Sequence, residues 1–193
     1  MIVFIALLLH VMFCGYAAAA FIKGSYTDPR DGKTYKTVKL NKQTWLAENL
    51  NYEAEGSKCY GDEPANCQKY GRLYSWETAL NVCPNGWHLP DNEEWQAIVD
   101  FAGGEKTAGK KLKARSGWNS ENGIDIFSFS ALPGGYGNMT NDNFYNGGNY
   151  GLWWSAIGYN VYFAYGRTMS NDSDVLEGRF LKSNVMSVRC AQD

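Results

Sequence analysis

His88 is the first residue to consider for catalytic chemistry, because an imidazole can act as a general base near neutral pH. The other histidine, His10, falls in an apolar N-terminal run. His88 stands between Trp87 and Leu89, a setting more typical of a hydrogen-bonded core residue than of a catalyst. Without a second histidine or an activated nucleophile, Ser-His-Asp and Cys-His mechanisms lack essential groups. The sequence also has no zinc-binding histidine pair and no glycine-rich phosphate loop. We therefore predict that the protein is not an enzyme.

Carboxylates offer the other route to catalysis or metal binding. Those in the loop-rich part of the chain lack the spacing of a calcium-binding EF-hand loop; they are Asp125, Asp142, Asp172, Asp174 and Glu177. The run Asn171-Asp172-Ser173-Asp174 could donate oxygens to calcium, although it is more typical of an ordinary turn. A glycosidase pair depends on three-dimensional geometry, and nothing in the sequence selects two acids. We expect no metal site and no cofactor.

Alternating tyrosines and asparagines suggest a binding surface in the C-terminal half. Tyrosine offers a flat apolar face and a hydroxyl, and asparagine both donates and accepts hydrogen bonds, which suits sugars and protein surfaces. Strand alternation would turn Asn160 and Tyr162 to solvent, and Val161 and Phe163 to the core. The alternative is that these aromatics are half-buried neighbours within a sheet. The predicted ligand-binding patch comprises Tyr145, Asn149, Tyr150, Tyr159, Asn160, Tyr162 and Arg167.

The cysteines indicate the compartment in which the protein works. One of the five, Cys14, lies in the apolar N-terminal run, and the four that remain allow three disulfide pairings. The short spacing of Cys59 and Cys67 favours a local bridge, which leaves Cys83 to pair with Cys190. Their spacings do not form the paired Cys-x-x-Cys knuckles of zinc sites. Disulfides persist in oxidising compartments, so the pattern favours an exported protein over one with free buried thiols.

The segment Met1–Ala20 contains no charged residue and ends in four alanines. An apolar run followed by small residues is typical of a cleaved secretory signal peptide. An uncleaved membrane anchor is an alternative, since about 20 apolar residues can just span a bilayer. A lipid attached at Cys14 is a third, disfavoured by the bulky Phe13 before it. We expect a secreted or cell-surface protein that contacts a membrane only if this segment is retained.

Charge excludes one class of partner. The formal net charge is -2, with charges of both signs interspersed. No basic stripe is present that could neutralise a phosphate backbone, so we do not expect nucleic-acid binding. The densest basic run, residues 109–115, is expected to be a solvated surface turn. The 15% aromatic content and the 21 glycines fit a globular domain with short elements and tight turns.

The pattern of elements predicts one domain over residues 33–193, after a polar, turn-rich linker at 21–32. Residues 34–40 and 43–50 alternate in the manner of a β-hairpin. Further short strands are predicted at 127–132, 152–157, 161–167, 176–181 and 185–190, with a long polar and aromatic loop at 136–150.

Two helices are predicted between the hairpin and the later strands. Ser75 can cap the first helix. Asp91 and Glu94 have the spacing of a capping box at the start of the second, which Gly103-Gly104 would end. Helices early and most strands late indicate an α+β fold.

Over about residues 31–193 the chain resembles the Fibrobacter succinogenes major paralogous domain family. The resemblance rests on short motifs in the family's order, which are Asp31-Gly32-Lys33-Thr34-Tyr35, Trp45-Leu46-Ala47-Glu48-Asn49-Leu50, Tyr70-Gly71-Arg72-Leu73-Tyr74, Gly86-Trp87-His88-Leu89-Pro90, Ser116-Gly117-Trp118-Asn119, Ala131-Leu132-Pro133-Gly134-Gly135 and Ser187-Val188-Arg189-Cys190. It implies a C-type lectin-like α+β fold with two helices, short antiparallel strands, long loops and a disulfide-stapled terminal strand. It also implies surface or secreted proteins of fibre-degrading bacteria with binding roles.

Two departures qualify this resemblance. Calcium-dependent lectins carry Glu-Pro-Asn or Gln-Pro-Asp and Trp-Asn-Asp triplets, whereas here Glu63-Pro64 is followed by Ala65 and Trp118-Asn119 by Ser120. A calcium-dependent sugar site is therefore not expected. The related formylglycine-generating enzymes need a reactive cysteine pair, whereas both pairs here are expected to be structural.

These observations predict a secreted or cell-surface, non-catalytic binding domain with an adhesive role. Its expected partner is a polysaccharide or another surface protein. The alternative is a structural subunit of a surface appendage, or a membrane-anchored surface protein, that retains the N-terminal apolar segment. The sequence leaves the ligand, the oligomeric state and calcium binding open.

Overall fold

The computed structural model of the protein describes residues 22–170 and 174–193. The expected signal peptide or anchor at Met1–Ala20, and residues 171–173 of the acidic turn, lie outside this part. The strands are β1 Ile22–Thr27, β2 Thr34–Leu40, β3 Gln43–Leu46, β4 Ser57–Lys58, β5 Leu73–Tyr74, β6 Trp87–His88, β7 Tyr136–Asn138, β8 Asn143–Tyr145, β9 Gly151–Gly158, β10 Phe163–Met169, β11 Val175–Leu181, β12 Asn184–Ser187 and β13 Ala191–Gln192. The helices are α1 Pro64–Tyr70, α2 Trp76–Ala79, α3 Asn92–Phe101 and α4 Glu105–Leu112, with a 3₁₀ turn at Tyr60–Asp62.

The smaller sheet is built on the β2–β3 hairpin and has the strand order β1-β2-β3-β13-β6. The predicted hairpin is confirmed, with Val38 opposite Trp45 and a turn at Asn41, whose φ of 56° asparagine tolerates well. Residues 22–27, which we expected in a linker, form strand β1 instead, because they pair with β2 along their whole length. The side chains of β1 are mostly exposed, so the sequence shows no apolar alternation there.

The larger sheet runs in the order β11-β10-β9-β12-β5-β4, with the β7–β8 hairpin attached to β12. Strands β9, β10 and β11 form an antiparallel meander, whereas β12 pairs with β9 in parallel. Of the strand predicted at 185–190, only residues 185–187 lie in a strand, β12 of this sheet, and β13 of the smaller sheet begins just after it, at Ala191. The C-terminal segment therefore ties the two sheets together, and the amide of Leu50 donates to the carbonyl of Val188 at 2.9 Å between them.

Several predicted strands change in extent. Strands at 152–157 and 176–181 are confirmed as β9 and β11, but the strand expected at 161–167 begins only at Phe163. Residues 127–132 do not form a strand, since Ser128 and Ser130 have φ values of 58° and 53°, outside the β region. Only one bridge, between Lys113 and Ala131, occurs there.

Both predicted helix caps are confirmed. The Ser75 hydroxyl accepts from the Thr78 amide at 3.2 Å at the start of α2. At α3, the Asp91 carboxylate accepts from the Glu94 amide at 2.8 Å, and the Glu94 carboxylate accepts from the Asp91 amide at 3.0 Å. This reciprocal pair is a capping box.

Two helices in the described residues were not predicted. Helix α1 begins between Cys59 and Cys67 and ends at Tyr70. Helix α4 includes the first part of the basic run 109–115, so the expectation of a solvated turn there is wrong. Leu112 and Ala108 are four residues apart, hence on one helical face, and both are buried. The lysines of α4 lie on the other faces of the same helix.

Two hydrophobic clusters flank β9. Trp153 belongs to the cluster of Trp45, Trp95 and Phe129, and the next residue, Trp154, belongs to the second cluster. Successive side chains of a strand point to opposite faces, so this pair fills both cores. The centroids of the Trp45 and Trp95 rings are 5.0 Å apart. Large aromatic rings thus supply the buried area that the short strands could not supply alone.

The predicted disulfides are confirmed. Cys59 is bonded to Cys67, with a sequence separation of 8, and Cys83 is bonded to Cys190, with a separation of 107. The longer bridge joins the segment between α2 and β6 to the residue that immediately precedes β13. Among residues 22–170 and 174–193, no helix has the length and apolar character needed to cross a membrane.

Candidate binding surface

The turn between β9 and β10, residues 159–162, projects apolar side chains into solvent, and we call it the tyrosine turn. The exposed fractions are 46% for Tyr159, 78% for Val161 and 71% for Tyr162. The prediction that Val161 faces the core is wrong, because strand alternation begins only at Phe163. Val161 instead lies at the outer end of the turn. The turn therefore exposes an aliphatic side chain as well as the two tyrosine rings.

The side chain of Asn160 stabilises this turn from within. Its Oδ1 accepts from the amides of Tyr162 and Phe163, both at 2.9 Å. The Tyr159 amide donates to the Phe163 carbonyl at 2.9 Å, and the Asn160 amide donates to the same carbonyl at 3.1 Å. The oxygen of Asn160 is therefore used internally. Asn160 thus holds its neighbours in place, and its contact with a ligand stays a prediction.

Two residues that the sequence did not single out support Tyr159. The guanidinium of Arg179, on β11, lies 4.1 Å from the centroid of the Tyr159 ring. Tyr165, directly opposite Arg179 in the sheet, meets Tyr159 edge to face with centroids 5.6 Å apart. Cation–π and edge-to-face contacts of this kind fix the orientation of a ring. Strand pairing creates this cluster, and no motif in the sequence indicated it.

Arg167 does not belong to this surface. Its exposed fraction is 3%, and its guanidinium pairs with the Glu177 carboxylate at 2.8 Å and donates to the Asn92 carbonyl at 3.0 Å. Burial lowers the pKa of Arg167, against the opposing effect of Glu177. The prediction that Arg167 contacts a ligand is corrected, because its side chain lies on the helix-covered face of the sheet, where it joins β10 and β11 to the start of α3.

The remaining predicted residues lie at the other end of β9. Tyr150 precedes this strand and Tyr159 follows it, so eight residues at about 3.3 Å each separate them by roughly 25–30 Å. Tyr145 stacks on Tyr136 with centroids 5.2 Å apart. The Oδ1 of Asn149 accepts from the amide group of Asn119 at 3.2 Å. The structure therefore places the seven predicted residues at two separate surfaces and one buried site.

His88 makes two short contacts at the edge of the smaller sheet. Its Nδ1 lies 2.6 Å from a carboxylate oxygen of Asp193, and its Nε2 lies 2.8 Å from one of Glu94. Burial lowers the pKa of His88, but the hydrogen bonds to Asp193 and Glu94 outweigh it, so the net shift is upward. The imidazole, held between two carboxylates, is a structural link between β6, α3 and the C-terminal residue.

The scattered carboxylates have individual roles. Asp125 accepts from the Ser130 hydroxyl at 2.7 Å, which holds the loop that replaces the predicted strand. Asp142 pairs with Lys58 at 2.6 Å, and Asp174 with Lys106 at 2.8 Å. Within the described part of the chain, no group of three metal-ligating side chains comes together.

Two family-motif residues, Asn49 and Arg189, lie in the interior. The Arg189 guanidinium is completely buried, and it donates to the Asn49 side-chain oxygen and to the carbonyl of Phe129 at 2.5 Å. Burial lowers the pKa of Arg189 to about 9, against the attraction of Glu48 and Asp125. These residues hold the two sheets and the 125–130 loop together.

The geometry defines a disulfide-bonded α+β domain with an exposed aromatic turn. The chain belongs to the Fibrobacter succinogenes major domain family, a bacterial family whose model matches residues 38–192. No curated protein and no solved structure is significantly similar to the chain.

Proposed function

We propose that the protein is an exported, non-catalytic binding domain that attaches to another surface protein through the tyrosine turn. The two disulfides favour an oxidising compartment outside the cytoplasm. The apolar segment Met1–Ala20 supports export. A hairpin, capped helices and a disulfide-tied terminal strand support a C-type lectin-like arrangement.

The exposure of Val161 carries the proposal. A valine with an exposed fraction of 78%, between two exposed tyrosines, gains from burial against an apolar partner surface. Ile157 and Leu181, which flank the turn on β9 and β11, are each 42% exposed. Exposed aromatic and aliphatic side chains close together are typical of the centre of a protein–protein interface.

The rigidity of the turn also favours binding. The two hydrogen bonds to Asn160 Oδ1 and the two to the Phe163 carbonyl fix the backbone before any partner arrives. Arg179 and Tyr165 hold the Tyr159 ring. A pre-ordered surface loses less conformational entropy on association, so more of the contact energy appears as affinity.

A polysaccharide is the second candidate partner, and Tyr162 favours it. Its ring is 71% exposed on a turn, so a sugar ring could stack on its face. A sugar would contact mainly the tyrosine rings, whereas a protein partner would also bury Val161. The two candidates therefore predict different effects of substitutions at these two neighbouring positions.

The experiment compares Tyr162→Ala and Val161→Ser in binding to immobilised cell-envelope proteins and to insoluble cellulose and xylan. For a protein partner, both substitutions should weaken binding to the envelope proteins, Tyr162→Ala by roughly 1–2 kcal/mol. For a polysaccharide, only Tyr162→Ala should weaken binding to the glycans. The matched control is Tyr150→Ala, which removes an exposed tyrosine at the far end of β9.

Thermal unfolding distinguishes a binding role from a structural one. Tyr162→Ala should leave the melting temperature nearly unchanged, because its side chain is mostly in solvent. If it lowered the melting temperature as a core truncation does, the turn would be structural and the proposal wrong. Weaker binding of Tyr150→Ala alone would instead place the site at the other end of β9.

A further inference from the structure

Strand β11 ends the larger sheet, because it pairs with β10 on one side and no described strand pairs with its other edge. From Leu176 to Leu181 its side chains are exposed or half-buried. An unpaired edge of this length presents a row of amide and carbonyl groups that can accept another strand. Soluble proteins usually protect such an edge with lysine, proline or a bulge, and β11 contains no lysine and no proline.

The sequence of β11 is complementary to itself in the antiparallel sense. It reads Val175-Leu176-Glu177-Gly178-Arg179-Phe180-Leu181, with an acid and a base on either side of a central glycine and apolar residues beyond them. We propose that two copies of the chain associate through their β11 strands, antiparallel and centred on Gly178. The two larger sheets then form one continuous sheet across a two-fold axis.

Charge complementarity supports this register. About a two-fold axis at Gly178, each Glu177 lies opposite Arg179 of the second copy, and this happens twice. Directly opposite residues of an antiparallel pair are close enough for their side chains to interact, and opposite charges there are favourable. Glu177 is 39% exposed although it already binds Arg167, so its carboxylate remains accessible to a second guanidinium.

The apolar residues support the same register. Leu176, which is 48% exposed, would lie opposite the second copy's Phe180, and Leu181, which is 42% exposed, would lie opposite its Val175. On the two-fold axis, Gly178 would lie opposite Gly178 of the second copy, and neither residue brings a side chain there. A shift by one residue would place Glu177 opposite Gly178 and remove both charge pairs. Side-chain complementarity therefore selects one register.

Among the other strands that end a described sheet, β4, β6 and β8 have only two or three residues each, and the longer β1 lacks these properties. Strand β1 ends the smaller sheet, and it carries Lys23, a residue type that discourages edge pairing. An antiparallel pairing of two β1 strands about their centre would place Lys23 opposite Tyr26, with no opposite charge. The association we propose is therefore specific to β11. The tyrosine turns lie near the Leu181 end of β11, so an antiparallel dimer would carry one at each end of its interface.

Sedimentation velocity of the purified protein over a range of concentrations tests the proposal. The unsubstituted protein should show a concentration-dependent dimer. Arg179→Glu places like charges opposite each other twice and should raise the dimer dissociation constant roughly tenfold or more. Leu176→Lys should do the same by placing a lysine on the edge. The matched control is Lys39→Glu, which makes the same charge change on an exposed position of β2 and should leave the dimer intact.

Two outcomes would overturn the proposal. One is an unsubstituted protein that stays monomeric at the highest soluble concentration. The other is a dimer that Arg179→Glu and Leu176→Lys weaken no more than Lys39→Glu does. Melting temperatures of the variants show whether each remains folded.

Oxidative cross-linking tests the register. In this dimer, a Glu177→Cys chain and an Arg179→Cys chain bring their new cysteines directly opposite each other, at a Cα–Cα distance of about 4.5–5.5 Å that suits a disulfide. The mixture should therefore form a cross-linked dimer. Either variant alone should not, because its two cysteines would be offset by two residues, beyond about 7 Å. Equal cross-linking of each variant alone would rule out pairing centred on Gly178.

Discussion

The side-chain oxygen of Asn49 accepts two hydrogen bonds from the guanidinium of Arg189, one from Nη2 at 2.8 Å and one from Nε at 3.2 Å. The indole of Trp153 donates to the same oxygen at 2.8 Å. The amide nitrogen of Asn49 in turn donates to the Tyr70 carbonyl at 2.9 Å. One asparagine therefore joins the hairpin region, helix α1, strand β9 and the C-terminal segment. All of the groups around it are buried, where unsatisfied polar groups are costly.

We expect Asn49→Leu to lower the free energy of unfolding by about 3–5 kcal/mol, because it leaves the buried guanidinium of Arg189 without its main acceptor. The double variant Asn49→Leu/Arg189→Met should cost less than the sum of the two single changes, since it removes both polar partners. Urea denaturation of the four proteins measures this. Additive losses would show that the two side chains act independently.

The long disulfide should contribute more to stability than the short one. In the chain-entropy treatment, Cys83–Cys190, with a separation of 107, contributes about 4–5 kcal/mol, and Cys59–Cys67, with a separation of 8, about 2–3 kcal/mol. We expect replacing Cys83 and Cys190 by alanine to lower the urea midpoint more than replacing Cys59 and Cys67. Equal midpoints for the two double variants would contradict this ranking.

The link between His88 and its two carboxylates should make stability depend on pH. Because the folded state raises the pKa of His88, its contribution is fully present below the unfolded pKa of about 6.5 and is lost as pH rises through the folded value. The side chain is partly exposed, so we expect no more than about 1 kcal/mol. The stability difference between the unsubstituted protein and His88→Gln should therefore be larger at pH 5.5 than at pH 8.5. If the difference in stability between the two proteins grew as pH rises, this prediction would be wrong.

The capping box at α3 predicts a position-specific effect. Asp91→Ala removes the acceptor for the Glu94 amide and should destabilise the protein by about 1 kcal/mol. The control is Asp100→Ala in the last turn of the same helix, where a negative charge opposes the helix dipole and its loss should be neutral or slightly stabilising. Thermal unfolding compares the two. A larger loss at Asp100 would mean that dipole and capping effects do not govern this helix.

Local signals in the sequence were sufficient for the elements that depend on neighbouring residues. The Asp91 and Glu94 spacing predicted a helix start, because a capping box forms within one turn. The alternation before and after Asn41 predicted the hairpin. The even number of cysteines outside the apolar segment Met1–Ala20, and the short spacing of one pair, indicated the disulfide pairing that the structure shows.

Other features depended on contacts between distant segments, which only the tertiary structure decided. The strand pattern of the sequence is consistent with an exposed Arg167. In the structure its side chain is buried, because α3 and Glu177 cover it. Val161 faces solvent because the Asn160 hydrogen bonds close a turn before the strand begins. Tyr150 and Tyr159 are nine residues apart in the chain, and the extended strand between them keeps them at separate surfaces.

The sequence by itself determined the local caps and the hairpin, because these follow from interactions within a few residues, and its motifs over residues 31–193 indicated the family. It could not determine which polar residues become buried, since burial depends on which distant elements pack together. The free energy of packing two sheets around Arg189, and of pairing β10 with β11 beneath Tyr159, arises only when the whole chain has folded.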